Sequence, residues 1–208
     1  MQYVALIDYG SGNLHSAQKA LVRAATERGV DAAIHVTSDP KVIATADRIV
    51  LPGVGAFGAC MAALNERPGL AEAIDRHIRD AQRPFLGICV GMQLLAERGV
   101  EYGEHKGLGF LPGTVRLLEA KGQKLPHIGW NTVEGAGHPL LPPDGDAYFV
   151  HSYCFDATQA NDVAATATYG ERFTAMVARD NVAGTQFHPE KSQAFGLALL
   201  GNFLEWSV

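Results

Sequence analysis

The sequence predicts an α/β protein: a central, mostly parallel sheet with helices on both faces, extended by an antiparallel β portion. Three observations carry this. Short apolar runs without alternation, at 3–8 (YVALID), 47–51 (DRIVL) and 85–88 (FLGI), read as strands covered on both faces. Helical patterns lie between them, and strand–helix alternation implies a parallel sheet. From 107 to 186 the chain is instead rich in Gly, Pro and Thr and carries short β-like runs, which predicts strands with few helices, some in antiparallel pairs.

The elements follow from spacing. In 14–28, Leu14, Ala17, Leu21 and Ala24 recur at helical intervals. In 70–81, Leu70, Ala73, Ile74, His77, Ile78 and Ala81 do the same. A last helix over 192–206 puts Phe195, Leu199, Phe203 and Trp206 on one stripe. The β-like runs are 114–118, 126–132, 146–151, 163–169, 173–178 and 182–187. No repeat, low-complexity tract or linker divides the 208 residues, so one domain over 1–208 is the simplest organisation.

Composition narrows the class. At 47% hydrophobic and 19% charged residues, the chain has material for a sizeable core, and a chain this long buries roughly 70% of its unfolded surface. A net charge of −5 and no basic run argue against a nucleic-acid footprint. A small basic patch for a phosphate-bearing partner is still compatible with this balance. No apolar run approaches the ~20 residues of a membrane span, and the N-terminus enters a strand-like run directly, with no signal-peptide pattern. Cys60, Cys89 and Cys154 show no paired spacing, which points to a reducing, cytoplasmic setting. No His or Cys spacing resembles a zinc site, and no metal or cofactor is expected.

The stretch LPGVGAFG (51–58) contains Gly53, Gly55 and Gly58 in the G-x-G-x-x-G spacing of a dinucleotide-binding loop. That fingerprint belongs in the first βα turn, with an acidic residue about 20 positions on at the end of the next strand. Here the loop follows a later strand, and the nearest acidic candidate, Asp75, lies inside a helical pattern. The alternative is a loop whose glycines let the backbone approach a substrate and turn an N–H toward it.

The strongest chemical signal is FLGICVGMQLL (85–95): an apolar run ending in Gly87-Ile88-Cys89-Val90-Gly91, with a helix pattern starting at once. This is a nucleophile elbow with cysteine in place of serine. The sharp turn needs small flanking residues, and the helix start favours a thiolate. A lone cysteine is more often simply buried; the two glycines and the strand-to-helix setting reverse that balance. A base and its orienting group stand at His188 and Glu190 in GTQFHPEKS (184–192). In extended chain, residues i and i+2 point the same way, and Pro189 keeps His188 out of helical geometry. Taken alone, the pair could equally be a surface ion pair. His15, His35, His77, His105 and His138 read as surface or packing residues.

Together these features resemble the class I, triad-type glutamine amidotransferases. More narrowly, IDYGSGNLHS (7–16), LPGVGAFG, GICVGMQLL (87–95), GLGFLPGTV (107–115), PHIGWN (126–131), YFVHSY (148–153) and TQFHPEKS (185–192) are similar, in order, to the glutaminase subunits of imidazole glycerol phosphate synthases. The resemblance implies a three-layer, flavodoxin-like fold and a Cys89–His188–Glu190 triad. It implies that Gln93 and Glu101 bind the amino-acid end of L-glutamine, with Ser152 and Tyr153 completing the pocket. Gly53, Val54, Gly55 and Val90 would supply the oxyanion hole, with the Val54 N–H required to point inward. It also implies a separate (β/α)8-barrel cyclase partner, which would use the ammonia to make imidazole glycerol phosphate and AICAR from PRFAR in histidine biosynthesis. Asn13, Trp130, His151 and Lys191 would lie at or near the partner-facing surface. Cys154 stands where an aromatic is more usual.

Two rivals remain at this level. One is another cysteine hydrolase on a similar sheet, such as a peptidase-like protein or the glutaminase of a different synthase. It is disfavoured by the closed amino-acid pocket and by PHIGWN and YFVHSY. The other is a non-enzymatic binding module, disfavoured by the full nucleophile–base–carboxylate set.

Overall fold

A computed structural model of the chain describes every residue except 136, 144 and 208. The first half alternates strand and helix: β1 (Gln2–Ile7), α1 (Leu14–Arg28), β2 (Ala32–Thr37), α2 (Pro40–Thr45), β3 (Arg48–Gly53), α3 (Phe57–Asn65), α4 (Leu70–Arg79), β4 (Phe85–Cys89) and a short α5 (Val90–Gln93). The second half is nearly all strand: β5 (Ala96–Gly99), β6 (His105–Lys106), β7 (Leu111–Leu117), β8 (His127–Gly135), β9 (Gly145–His151), β10 (Tyr153–Ala157), β11 (Val163–Tyr169), β12 (Glu171–Arg179) and β13 (Val182–Thr185). The chain then forms α6 (Gln193–Glu205).

Nine strands share one sheet in the order β2-β1-β3-β4-β13-β12-β11-β8-β9. The strands β2, β1, β3, β4 and β13 run parallel. The sheet continues antiparallel through β12, β11, β8 and β9. A second, four-stranded sheet has the order β10-β7-β5-β6. Every residue of β4 is buried, as expected for a parallel strand covered on both faces. The cover comes from two helical groups: α1 packs on α6, while α2 and α3 pack on α4.

Local chemistry sets the element ends. Helix α1 spans the predicted 14–28 and stops at Gly29, whose φ of 66° is the left-handed C-cap that glycine adopts readily. The 70–81 pattern ends earlier, at Arg79, and the 192–206 pattern starts at Gln193, because a single 3-10 turn, Pro189–Lys191, precedes it. The strand expected over 182–187 ends at Thr185, and the following residues turn toward the site. Sequence periodicity misses β2 because it is an edge strand with one buried residue, Ile34. It also misses α2, which is only six residues long and held by its ends: Pro40 opens it, and the Asp39 carboxylate accepts from the Lys41 N–H.

The parallel strands deliver their C-terminal ends to one edge of the sheet. There the loops after β1, β3 and β4 and the segment after β13 converge, as the doubly wound topology dictates.

Candidate active site

Cys89 ends β4 and leads directly into α5, with φ 54° and ψ −110°. A non-glycine residue at positive φ is strained by about 1–3 kcal/mol. The flanking glycines make the turn possible. A β-carbon on Gly87 would stand 2.5 Å from the Gly91 carbonyl oxygen, and one on Gly91 would collide with the carbonyl of Leu51 on β3. The elbow expected from the sequence is therefore present, with the sulfur nearly buried. The thiol donates to the Val150 carbonyl at 3.9 Å, and Gln186 Nε2 donates to the sulfur at 3.7 Å.

His188 and Glu190 meet across 2.9 Å, from Nδ1 to Oε1, with both side chains buried. They do not meet in extended chain, as the i, i+2 argument expects; Pro189 opens a 3-10 turn, and Glu190 folds back onto the imidazole. The backbone of His188 is clamped. Its N–H donates to the Tyr148 carbonyl at 3.0 Å, and its own carbonyl accepts from Ser192 Oγ at 2.6 Å. Burial pulls the imidazole toward neutrality, but the pull of Cys89 and Glu190 outweighs it and lifts His188 to about 9. The balance favours the imidazolium form of the ring beside the sulfur. Cys89 and His188 line one cavity of about 250 Å³, together with Val54, Gln93, Glu101 and Tyr153.

Val54, after β3, does not aim its N–H at Cys89. The N–H donates to Ser11 Oγ at 3.1 Å, and the Ser11 hydroxyl donates to the Val54 carbonyl at 2.7 Å. Ser11 follows β1, on the far side of β3 from Cys89, so this peptide faces away from the nucleophile. The Cys60 thiol also donates to the Val54 carbonyl, at 3.3 Å. The two glycines of the loop serve different needs. A β-carbon on Gly53 would stand 2.7 Å from the Tyr9 hydroxyl, so contact demands glycine there. Gly55 has open space around it but a φ of 100°, so conformation demands it.

Gln93 lines the cavity, yet Nε2 is committed inward, donating to the Tyr153 carbonyl and to Gln186 Oε1, each at 3.0 Å. Its Oε1 takes no part in these two bonds. Glu101 also lines the cavity and has a second duty: Oε2 accepts from the Phe57 N–H at 2.7 Å. Ala56 at the N-cap of α3 has no side chain to do this, so Glu101 caps the helix from a distant loop. Ser152 lines the same cavity, and Lys191 reaches its rim.

Trp130 is 48% exposed and packs edge-on against Tyr148, and Asn13 stands at the start of α1. His151, expected at or near the partner-facing surface, is buried in this chain and lines the same cavity as Ser152. It shares the inward face of β9 with Ala147 and Phe149, and it bonds to His127 and to the Tyr153 carbonyl. Sequence reasoning missed Ser11, Gln186 and the His127–His151 pair. Gln186 sits beside the FHPE segment, but its contact with Cys89 is not visible in the sequence; the His127–His151 pair needed strand register, and Ser11 needed the adjacency of β1 and β3.

The family model for class-I glutamine amidotransferases matches residues 5–206. A protein of Brucella abortus (strain 2308) named imidazole glycerol phosphate synthase subunit HisH is 53% identical over 212 residues, covering 98% of both chains. A protein of the same name from Agrobacterium fabrum is 54% identical, with the same coverage. Among solved structures, one described as a glutamine amidotransferase aligns with a TM-score of 0.75 at 21% identity, covering 97% of each chain. A Thermotoga maritima glutamine amidotransferase aligns at 0.58 and 21%, covering 91% of this chain and 76% of that one. Both structural likenesses concern the fold.

Proposed function

The chain belongs to the class-I glutamine amidotransferase family, and from that premise we propose that it hydrolyses the side-chain amide of L-glutamine and supplies the ammonia to the other subunit of an imidazole glycerol phosphate synthase. The observation that carries this reading is the strained Cys89 elbow sharing a cavity with the buried His188–Glu190 pair.

The chemistry follows from the geometry. The Cys89 thiolate attacks the side-chain amide carbon, forming a C–S bond and a tetrahedral oxyanion. Backbone N–H groups at Val54 and Val90 would hold that oxyanion, a contribution worth about 3–4 kcal/mol per donor. The His188 imidazolium gives its proton to the departing nitrogen as the C–N bond breaks, leaving ammonia and a γ-glutamyl thioester. The ring, now neutral, takes a proton from water. The resulting hydroxide attacks the thioester and releases glutamate and the thiolate. Glu190 orients the ring and stabilises its cation. No step calls for a metal or cofactor.

In this structure the Val54 N–H belongs to Ser11, so the oxyanion hole lacks one donor. We read this as the resting state, with the 53–54 peptide turning inward when the partner docks. The relatives are named as synthase subunits, which supports a partner; we assign it as a separate (β/α)8-barrel cyclase of histidine biosynthesis. Ammonia released into neutral water is protonated and loses its nucleophilicity, so delivery through a contact around the cavity mouth has a chemical purpose. Exposed Trp130, Ile128 and Val54, with Asn13 and Lys191, fit that contact. The three buried, unpaired cysteines support a reducing, cytoplasmic setting, and the nine-stranded sheet running through both halves of the chain supports one domain over 1–208.

The test measures glutamate release and cyclase turnover with the partner present. Cys89→Ala should release no glutamate yet support the cyclase when ammonium salts are added. Glutamine-dependent turnover in that variant would overturn the assignment.

A further inference from the structure

Buried polar groups beside the cavity form a directional chain that the triad mechanism does not use, and its direction follows from donor and acceptor chemistry. The Tyr153 carbonyl can only accept, so Gln93 Nε2 and His151 Nδ1 both donate to it, each at 3.0 Å. With its hydrogen on Nδ1, neutral His151 presents a lone pair at Nε2. His127 Nδ1 donates to that lone pair at 3.0 Å. His127 Nε2 is then an acceptor for Asn131 Nδ2 at 3.4 Å, and the same Asn131 amide donates to the Thr168 carbonyl at 2.9 Å. In the other direction, Gln93 Nε2 gives its second hydrogen to Gln186 Oε1 at 3.0 Å. A reversed Gln93 amide would set oxygen against the Tyr153 carbonyl. With the Gln186 oxygen occupied, its NH2 group is turned toward Cys89 Sγ, 3.7 Å away. Gln186 has no exposed surface, so solvent offers it no alternative.

We propose that Gln186 is a hydrogen-bond donor to the Cys89 thiolate, held the right way round by Gln93, whose own amide is fixed by the Tyr153 carbonyl. The proposal rests on the assignment of Cys89 as nucleophile and adds a residue to that site. Three groups act on the sulfur. The Val150 carbonyl accepts S–H and favours the thiol. The Gln186 N–H and the His188 imidazolium favour the thiolate. Unlike His188, Gln186 gives up no proton during turnover. It stabilises the sulfur anion both before attack and again as the thioester collapses.

Gln186→Met keeps the side-chain length and removes the donor. In the folded variant, alkylation of Cys89 by iodoacetamide at pH 7, with Cys89→Ala as the blank, should slow about tenfold, and its pH profile should move to the alkaline side. Gln186→Glu should slow it further, since a carboxylate would face the sulfur. A folded Gln186→Met with the wild-type profile would overturn the proposal. Independently of folding in the variants, the side-chain NH2 resonances of Gln186 in the wild-type chain should shift as Cys89 titrates and stay fixed in Cys89→Ala. The absence of that shift would also overturn it. Neither readout uses glutamine, so failure here leaves the glutaminase reading standing, and failure of that reading leaves this contact standing.

Discussion

At Cys89 the chain accepts a strained backbone, and at His188 it accepts a buried charge; each is affordable because neighbours compensate. Gly87 and Gly91 vacate the space the elbow needs. Glu190, 2.9 Å from the ring, supplies the counter-charge. This pairing makes a residue-level prediction. With His188 lifted to about 9, the imidazolium acid is present through neutral pH, and the pH profile of kcat/KM should fall on an alkaline limb near that value. Glu190→Gln removes part of the upward pull, so the limb should move down toward the ordinary histidine range and kcat should drop at least about tenfold. A limb unmoved in that variant would mean that Glu190 does not set the proton affinity of the ring. The triad was legible in the sequence because its signals are local: a Gly-x-Cys-x-Gly turn and a His-Pro-Glu segment. Gln186 was not, because its meaning depends on a contact with Cys89, 97 positions away.

Among the elements, the loop between β3 and α3 is held from the most directions. Its G-x-G-x-x-G spacing looked like one motif but is three separate requirements. Gly53 makes room for Tyr9, Gly55 adopts a positive φ, and a β-carbon on Gly58 would stand 2.6 Å from the His105 ring. The loop is held at one end by Ser11 and Cys60 and at the other by Glu101 on the α3 N-terminus. Removing the Ser11 hydroxyl should therefore free the Val54 N–H. Ser11→Ala is expected to raise partner-free glutamine hydrolysis about two- to tenfold, the range of one net hydrogen bond, while Ser11→Thr keeps the wild-type rate. General damage to the site would lower the rate, so an increase is diagnostic. The parallel core strands and the long amphipathic helices could be read from periodicity. Elements held by end contacts or by edge pairing, α2 and β2 above all, could not, because period carries no information about either.

For the whole molecule, three buried histidines bear on acid stability. Burial pushes His77 and His127 down to about 4 and His151 to about 3, against the usual 6.5. All three shifts are downward, so the unfolded chain binds more protons than the folded one between pH 6.5 and those values. Stability from this source is complete above pH 6.5 and should decline as pH falls toward 4. His188 has the opposite sign: its contribution is complete below 6.5 and is lost as pH rises through about 9. The urea midpoint should accordingly peak near neutral pH, and a midpoint that stays flat from pH 7 to 4.5 would contradict the neutral, buried assignment of the histidines.

The position of β13 has a consequence in time. It is the last strand in sequence, yet it lies in the middle of the large sheet, parallel to β4 and antiparallel to β12. As the chain emerges from the ribosome, Cys89 is made about a hundred residues before its base, and the β4 edge stays unpaired until residues 182–185 arrive. Such late, long-range closure is slow. It also couples assembly to reactivity: the insertion that joins the two halves of the sheet is the same event that brings His188 to the sulfur, so only a fully threaded chain carries an armed thiol.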